Sequence, residues 1–253
     1  MPNTTPEITL KAIRNIAPNM MQNQLHMHIA LRSIHPEILN GLQIDTADQH
    51  ALATHPQRRI EQLISRSWRR QILATQLEQA PESLCFAKNS NGKPYLVHEP
   101  HLQLSQSHCA QQFVLAFNAQ GVAVGVDIEA KQRVINQVGL AQRILTVLEM
   151  QAFRQAANPQ AYLLTCWTIK EAVLKASGLG IRLNLNQLET GYQAAQQLKS
   201  DIQPRAHTAS HSAIGTWAYQ CFETEDYFYT VAWQANSKQQ HVSSPVGFRW
   251  LNE

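Results

Sequence analysis

The chain has 253 residues, 44% of them hydrophobic, and a formal charge of +3. A chain of that length buries about 70–75% of its unfolded surface, enough for a full core in one or two domains, and so small a charge argues against a nucleic-acid binder. No apolar run approaches the ~20 residues that span a bilayer, and four scattered cysteines without a Cys-x-x-Cys pair read as reduced thiols of a cytoplasmic protein.

Residues 1–24 are polar, with Pro2, Pro6 and Pro18, and read as a loose extension. Leu25 to Leu31 alternates like a strand with one buried face; His26 and His28 share the other face, with no third metal ligand beside them. Between Asp45 and Leu77 the apolar positions Ile60, Leu63, Ile64, Trp68, Ile72 and Leu73 recur at helical spacing. The polar side of that tract carries Arg58, Arg59, Arg66, Arg69 and Arg70, which taken alone is a solvated basic face. Lys88 to Pro94 is a turn by composition: Gly92 permits a close backbone approach, and Lys93 offers a point charge to a phosphate. Leu102 to Cys109 precedes a buried strand at Phe113–Phe117.

In Val124-Gly125-Val126-Asp127-Ile128-Glu129, apolar and acidic residues alternate. As a strand this segment projects Asp127 and Glu129 from one face, their Cα atoms about 7 Å apart, and turns Val126 and Ile128 to a core. Ala141 to Ala156 reads as one amphipathic helix, with Ile144, Leu145, Leu148, Ala152 and Phe153 inward and Arg143, Glu149 and Arg154 outward; Asn158-Pro159 ends it. The next helix contains no Pro or Gly from Ala161 to Ser177 and meets Gly178 as a cap. It stacks Trp167, Glu171 and Lys175 on one face, while Lys170 points about 100° away. Glu-to-Lys pairs at this spacing are common on helix surfaces. Two strand carboxylates and a third from a helix, however, supply the oxygen donors that Mg²⁺ takes, with substrate phosphates completing its shell. Residues 181–188 are ambiguous. Gln193–Ser212 reads as a loop, in which Pro204 argues against a helical zinc pair of His207 and His211. Thr216–Phe222 and Tyr227–Trp233 form a hairpin with aromatic cross-strand pairs, and the tail from Asn236 has no pattern and reads as peripheral.

The pairing of Val-Gly-Val-Asp-Ile-Glu with Trp167-Thr168-Ile169-Lys170-Glu171-Ala172-Val173-Leu174-Lys175-Ala176-Ser177-Gly178-Leu179-Gly180 resembles the signature of the 4′-phosphopantetheinyl transferases. Asn91-Gly92-Lys93-Pro94 is similar to the Gly-Lys-Pro segment of the long, surfactin-type members, in the same order along the chain. The resemblance covers roughly residues 50–235. It implies an α+β fold of two similar halves, residues 25–120 and 121–253, related by pseudo-twofold symmetry around a cleft. Because short members hold one such half and form trimers, the double length implies a monomer.

The implied activity is Mg²⁺-dependent transfer of 4′-phosphopantetheine from coenzyme A to a serine of an apo acyl, peptidyl or aryl carrier protein, releasing adenosine 3′,5′-bisphosphate. By resemblance, Asp127, Glu129 and Glu171 hold the metal, and Lys175 stabilises the pyrophosphate or leaving group. The base is Glu171 or a metal-bound water. The arginine helix would help hold the 3′-phosphate of coenzyme A, with Arg59 and Arg66 ranked first, and Lys93 would meet a phosphate. A family Ser-His-Ser that contacts coenzyme A phosphates aligns in two ways: Ser107-His108-Cys109, which keeps the chemistry and is preferred, or Ser105-Gln106-Ser107, with Gln106 replacing the histidine. Two other classes compete. A Mg²⁺-dependent nuclease would need a larger basic surface, and a non-catalytic coenzyme A or carrier-binding protein could lose the carboxylates, all of which are present.

Overall fold

The computed structural model describes residues 25–42, 44–50, 52–180, 183–192, 207–234 and 246–251. The extension over 1–24 and the segments 193–206 and 235–245 lie outside them. The first half contains β1 (His26–Ser33), α1 (Pro56–Leu77), β2 (Phe86–Lys88), β3 (Pro94–Leu96), β4 (Gln103–Cys109) and β5 (Gln112–Asn118). The second contains β6 (Val124–Ala130), α2 (Gln137–Ile144), α3 (Val147–Gln155), α4 (Pro159–Ser177), β7 (His207–His211), β8 (Gly215–Glu223) and β9 (Tyr227–Gln234), and the chain ends in β10 (Gly247–Leu251).

One four-stranded sheet runs β10-β1-β5-β4 and the other β6-β9-β8-β7. Within them β1-β5-β4 and β6-β9-β8 repeat the same antiparallel order. Alternation along the strands then decides the layers. Met27, Ile29, Val114 and Ala116 of the first sheet meet Val126, Ile128, Val231 and Trp233 of the second in one apolar cluster. The opposite faces are covered by helices: Ile64, Trp68 and Leu73 of α1 over Phe113, Leu115 and Phe117, and Ile169, Ala172 and Val173 of α4 over Tyr219 and Ala232. The architecture is therefore α+β and internally repeated. Among the described residues no helix is long and apolar enough to cross a membrane.

Four expectations need correction. The arginine tract does not begin near Asp45: Thr46–Gln49 is a separate 3-10 turn, and α1 starts with Pro56 at its first position. Proline suits that position, where no N–H is needed, and it holds His55 extended with ψ 124°. Secondly, Ala141–Ala156 is two helices. Leu145 is extended, and Thr146 caps α3 through its hydroxyl while Glu149 returns a bond to the Thr146 amide. This capping box rotates the second helix, so Leu148 is 65% exposed and Glu149 only 2% exposed, the reverse of the periodic reading. Thirdly, the loop ending at Ser212 contains strand β7, paired with β8. Finally the tail is not peripheral, because β10 pairs in parallel with β1.

Candidate active site

The close packing of α4 on β6 begins at Gly125. A Cβ there would lie 1.9 Å from the Ala172 carbonyl oxygen and 2.4 Å from the Ala176 nitrogen, so only glycine lets the helix backbone rest on the strand. Two and four residues further along the same strand face stand Asp127 and Glu129, with Glu171 and Lys175 on the helix above. A buried hydrogen bond of 2.9 Å between Thr168 and Thr230 ties α4 to β9 beside them.

Asp127 is 5% exposed. Its Oδ1 accepts from Lys175 Nζ at 2.7 Å and from the Ser107 hydroxyl at 2.8 Å, while its Oδ2 is buried with no hydrogen-bond partner among the described residues. Lys175 also donates to the Ser107 oxygen at 2.8 Å and to the Val126 carbonyl at 3.2 Å. Glu129 Oε1 accepts from Trp167 Nε1 at 2.8 Å and from Arg133, and its Oε2 from the Cys109 thiol at 3.5 Å. Burial and then the Glu129 charge push that thiol up to about 11, which keeps it a donor. Burial first, then the charges of Asp127 and Glu129, push the Glu171 carboxyl up to about 7 against the opposing pull of Lys175. The three acids thus share one electrostatic neighbourhood. Among the described residues they do not form a ready cage of three metal-binding side chains, and Lys175 and Arg133 pair with two of the carboxylates. The chemistry of the donors still fits Mg²⁺: all are hard oxygens, one is orphaned in the interior, and burial followed by like-charge repulsion raises Glu171.

The first half reaches this centre through β4. Ser105, Ser107 and Cys109, every second residue, face β6. The Ser105 hydroxyl accepts from the Val126 amide at 3.0 Å, and Cys109 Sγ accepts from the Ala130 amide at 3.3 Å. Gln106 and His108 take the opposite face, toward α1: Gln106 accepts from Arg69 at 3.3 Å, and His108 Nε2 lies 3.6 Å from Glu61. Ser107 and His108, paired in the preferred alignment, are thereby separated. Lys93 is not left as a loose point charge. Its Nζ donates to the Val124 carbonyl at 3.0 Å and to the Ala176 carbonyl, in the last turn of α4, at 3.1 Å; burial pushes it down to about 8.

The arginines of α1 also divide. Arg59 is exposed at the start of the helix, and Arg66 donates to the carbonyls of Asp48 at 2.9 Å and His50 at 2.6 Å. Arg69 and Arg70 are buried, contrary to their assignment to a solvated face. Arg70 grips both oxygens of Asp48 at 2.6 and 3.0 Å, and burial pushes Arg69 down to about 10 as it stacks 4.0 Å from the Phe86 ring centroid. Lys170 is fully buried and ion-paired with Glu149 at 2.6 Å, in keeping with a side chain turned away from the reacting face. Sequence reasoning missed Arg133 and the spacing Ser105-x-Ser107-x-Cys109; the period of two in that spacing was the available signal.

A family model described as the 4′-phosphopantetheinyl transferase superfamily matches residues 123–232, the segment that holds all three acids and Lys175. A protein of Synechocystis sp., provisionally named a 4′-phosphopantetheinyl transferase, is 27% identical over 68% of this chain and 71% of its own length. A holo-[acyl-carrier-protein] synthase of Yersinia pestis is 41% identical over 25% of this chain and 54% of its own. Among solved structures, the holo-[acyl-carrier-protein] synthase from Neisseria meningitidis aligns with 45% of this chain and 98% of that one, at 24% identity and a TM-score of 0.35. Residues 123–232 thus match the 4′-phosphopantetheinyl transferase superfamily, and the chain is similar to transferases of that class.

Proposed function

We propose that the chain moves 4′-phosphopantetheine from coenzyme A to a serine of an apo carrier protein in a Mg²⁺-dependent reaction, acting as a cytoplasmic monomer with the reaction site between its halves. The observation that carries this reading is the orphaned Asp127 Oδ2, buried in a carboxylate whose charge, with that of Glu129, is felt by Glu171. Asp127, Glu129 and Glu171 would hold Mg²⁺, which when bound neutralises charge on the coenzyme A pyrophosphate.

The remaining chemistry belongs to the chain's own side chains and the substrates. The carrier serine oxygen forms a bond to the β-phosphorus, and the bond from that phosphorus to the bridging oxygen breaks, releasing adenosine 3′,5′-bisphosphate. Glu171, with its carboxyl near 7, is suited to take the serine proton at neutral pH. It cannot do so from an oxygen engaged as a ligand, so its role as base is decided by the pH profile. Lys175 places an ammonium beside Asp127, and its longest bond, 3.2 Å to the Val126 carbonyl, is the one it can exchange for a phosphate oxygen. Arg59 and His108 are exposed on the α1 side and available to the 3′-phosphate, whereas Arg66 and Lys93 already donate to backbone carbonyls.

The test is incubation of the purified protein with coenzyme A, Mg²⁺ and a panel of apo carriers, read by mass spectrometry. A carrier gaining one phosphopantetheine is the expected result, and the panel shows which carrier class is served. Coenzyme A binding with no gain on any carrier would leave a binding protein and overturn the proposal.

A further inference from the structure

The serine of β4 does something other than touch phosphate. A hydroxyl has one proton and two lone pairs. In Ser107 the proton goes to Asp127 Oδ1 at 2.8 Å, and one lone pair receives a proton of Lys175 at 2.8 Å. Lys175 closes the triangle on the same Asp127 oxygen at 2.7 Å. Phosphate oxygens at neutral pH are acceptors and need donors. The only side-chain donor of Ser107 is committed to a buried carboxylate, in a charge-assisted bond roughly twice as strong as a neutral one.

The triangle also spans the molecule, since Ser107 comes from the first half and both its partners come from the second. On either side along β4, Ser105 and Cys109 bond the β6 backbone, so the strand's position against β6 is held at three alternate residues. We propose that Ser107 is a positioning residue: it orients Asp127 and Lys175 for the transfer proposed above, turning Asp127 Oδ2 to the acidic centre, and makes no contact with coenzyme A. This assignment rests on the transferase reading but is measured separately from it.

The experiment compares Ser107→Ala and Ser107→Thr with the unaltered protein. Steady-state transfer should show kcat down by about 10–100-fold in Ser107→Ala, the range for losing a partner that orients a ligand, with KM for coenzyme A unchanged. Calorimetric titration of the metal-free protein with Mg²⁺ should show an affinity loss of about the same size. Ser107→Thr, which keeps the hydroxyl, should restore both. A raised KM for coenzyme A with kcat unchanged would make Ser107 a substrate contact and overturn the proposal. So would a lowered melting temperature in Ser107→Ala with kcat and Mg²⁺ affinity unaltered. If the unaltered protein transfers nothing, the transferase reading fails, and the calorimetry still decides whether Ser107 orients the acids.

Discussion

The two halves share a strand order and a covering helix, and each sews its helix down through a buried carboxylate paired with a buried cation. In the first half Arg70 of α1 grips Asp48 of the preceding turn; in the second Lys170 of α4 grips Glu149 of α3. Both pairs have their remaining polar atoms met by backbone groups: Arg70 by the carbonyls of Pro81 and Leu84, Lys170 by those of Leu185 and Leu188, Glu149 by the Thr190 amide. The difference lies one layer over. Where β6 presents Gly125, Asp127 and Glu129 to α4, the corresponding face of β1 carries His28, with its ring stacked on Phe117, and Ala30 in the apolar cluster under α1. A single scaffold thus appears twice, once lined for packing and edged with arginines, once lined with acids. An acidic residue here is structural or chemical according to whether a buried cation fully occupies it.

That contrast can be broken most sharply by removing acids of each kind. Asp127→Ala or Glu171→Ala should lower transfer by about 10²–10⁴-fold, the range for a lost catalytic acid or base, with the melting temperature preserved. Asp48→Ala and Glu149→Ala should do the reverse, each costing about 3–5 kcal/mol in denaturant unfolding, because the buried Arg70 or Lys170 loses its buried carboxylate partner. Equal effects on stability across all four variants would erase the distinction.

Gly125→Ala comes next. The added methyl must displace α4, so a loss of about 1–3 kcal/mol is expected, accompanied by weaker transfer. A smaller effect separates the halves by pH. Glu171 has a folded value raised from 4.5 to about 7, so across that window the folded chain keeps a proton that the unfolded chain releases. Stability of the metal-free protein from this group therefore falls as pH rises from 4.5 to about 7. Added Mg²⁺ should raise the melting temperature more above the window than within it, and Glu171→Gln should flatten the difference. The smallest effects are at the basic edge. Arg59→Ala should raise KM for coenzyme A with stability changed by less than about 0.5 kcal/mol, whereas Arg66→Ala, which frees two carbonyls, should cost about 1 kcal/mol.

Much of the second half was legible from local pattern. The alternation at Val124–Glu129, the helix ending at Gly178 and the hairpin of β8 and β9 all appear where periodicity puts them; Gly178 caps α4 with φ 70°, and Phe222 stacks on Tyr229 at 5.2 Å between centroids. Two signals were present and outweighed: His55-Pro56, which starts α1, and Thr146-x-x-Glu149, which splits α2 from α3 against an apolar spacing that runs through the break. The burial of Arg69 and Arg70 had no local signal, because Asp48 and Phe86 reach them only after the chain turns. The pairing of β10 with β1 joins residues from opposite ends of the chain, and no neighbouring sequence records it.

Residue order alone determined which side chains carry oxygen donors and cations, and which of them share a strand or helix face, because both follow from periods of two and 3.6. It also carried the resemblance to the superfamily, since the acidic strand and the Lys-Glu helix are contiguous motifs. Only the tertiary structure decided which charges are spent in the interior, that Lys93 caps α4, and that a serine of one half completes the acid–lysine centre of the other. Those outcomes depend on which backbone comes within hydrogen-bonding reach after two sheets have packed, and no local period encodes that distance.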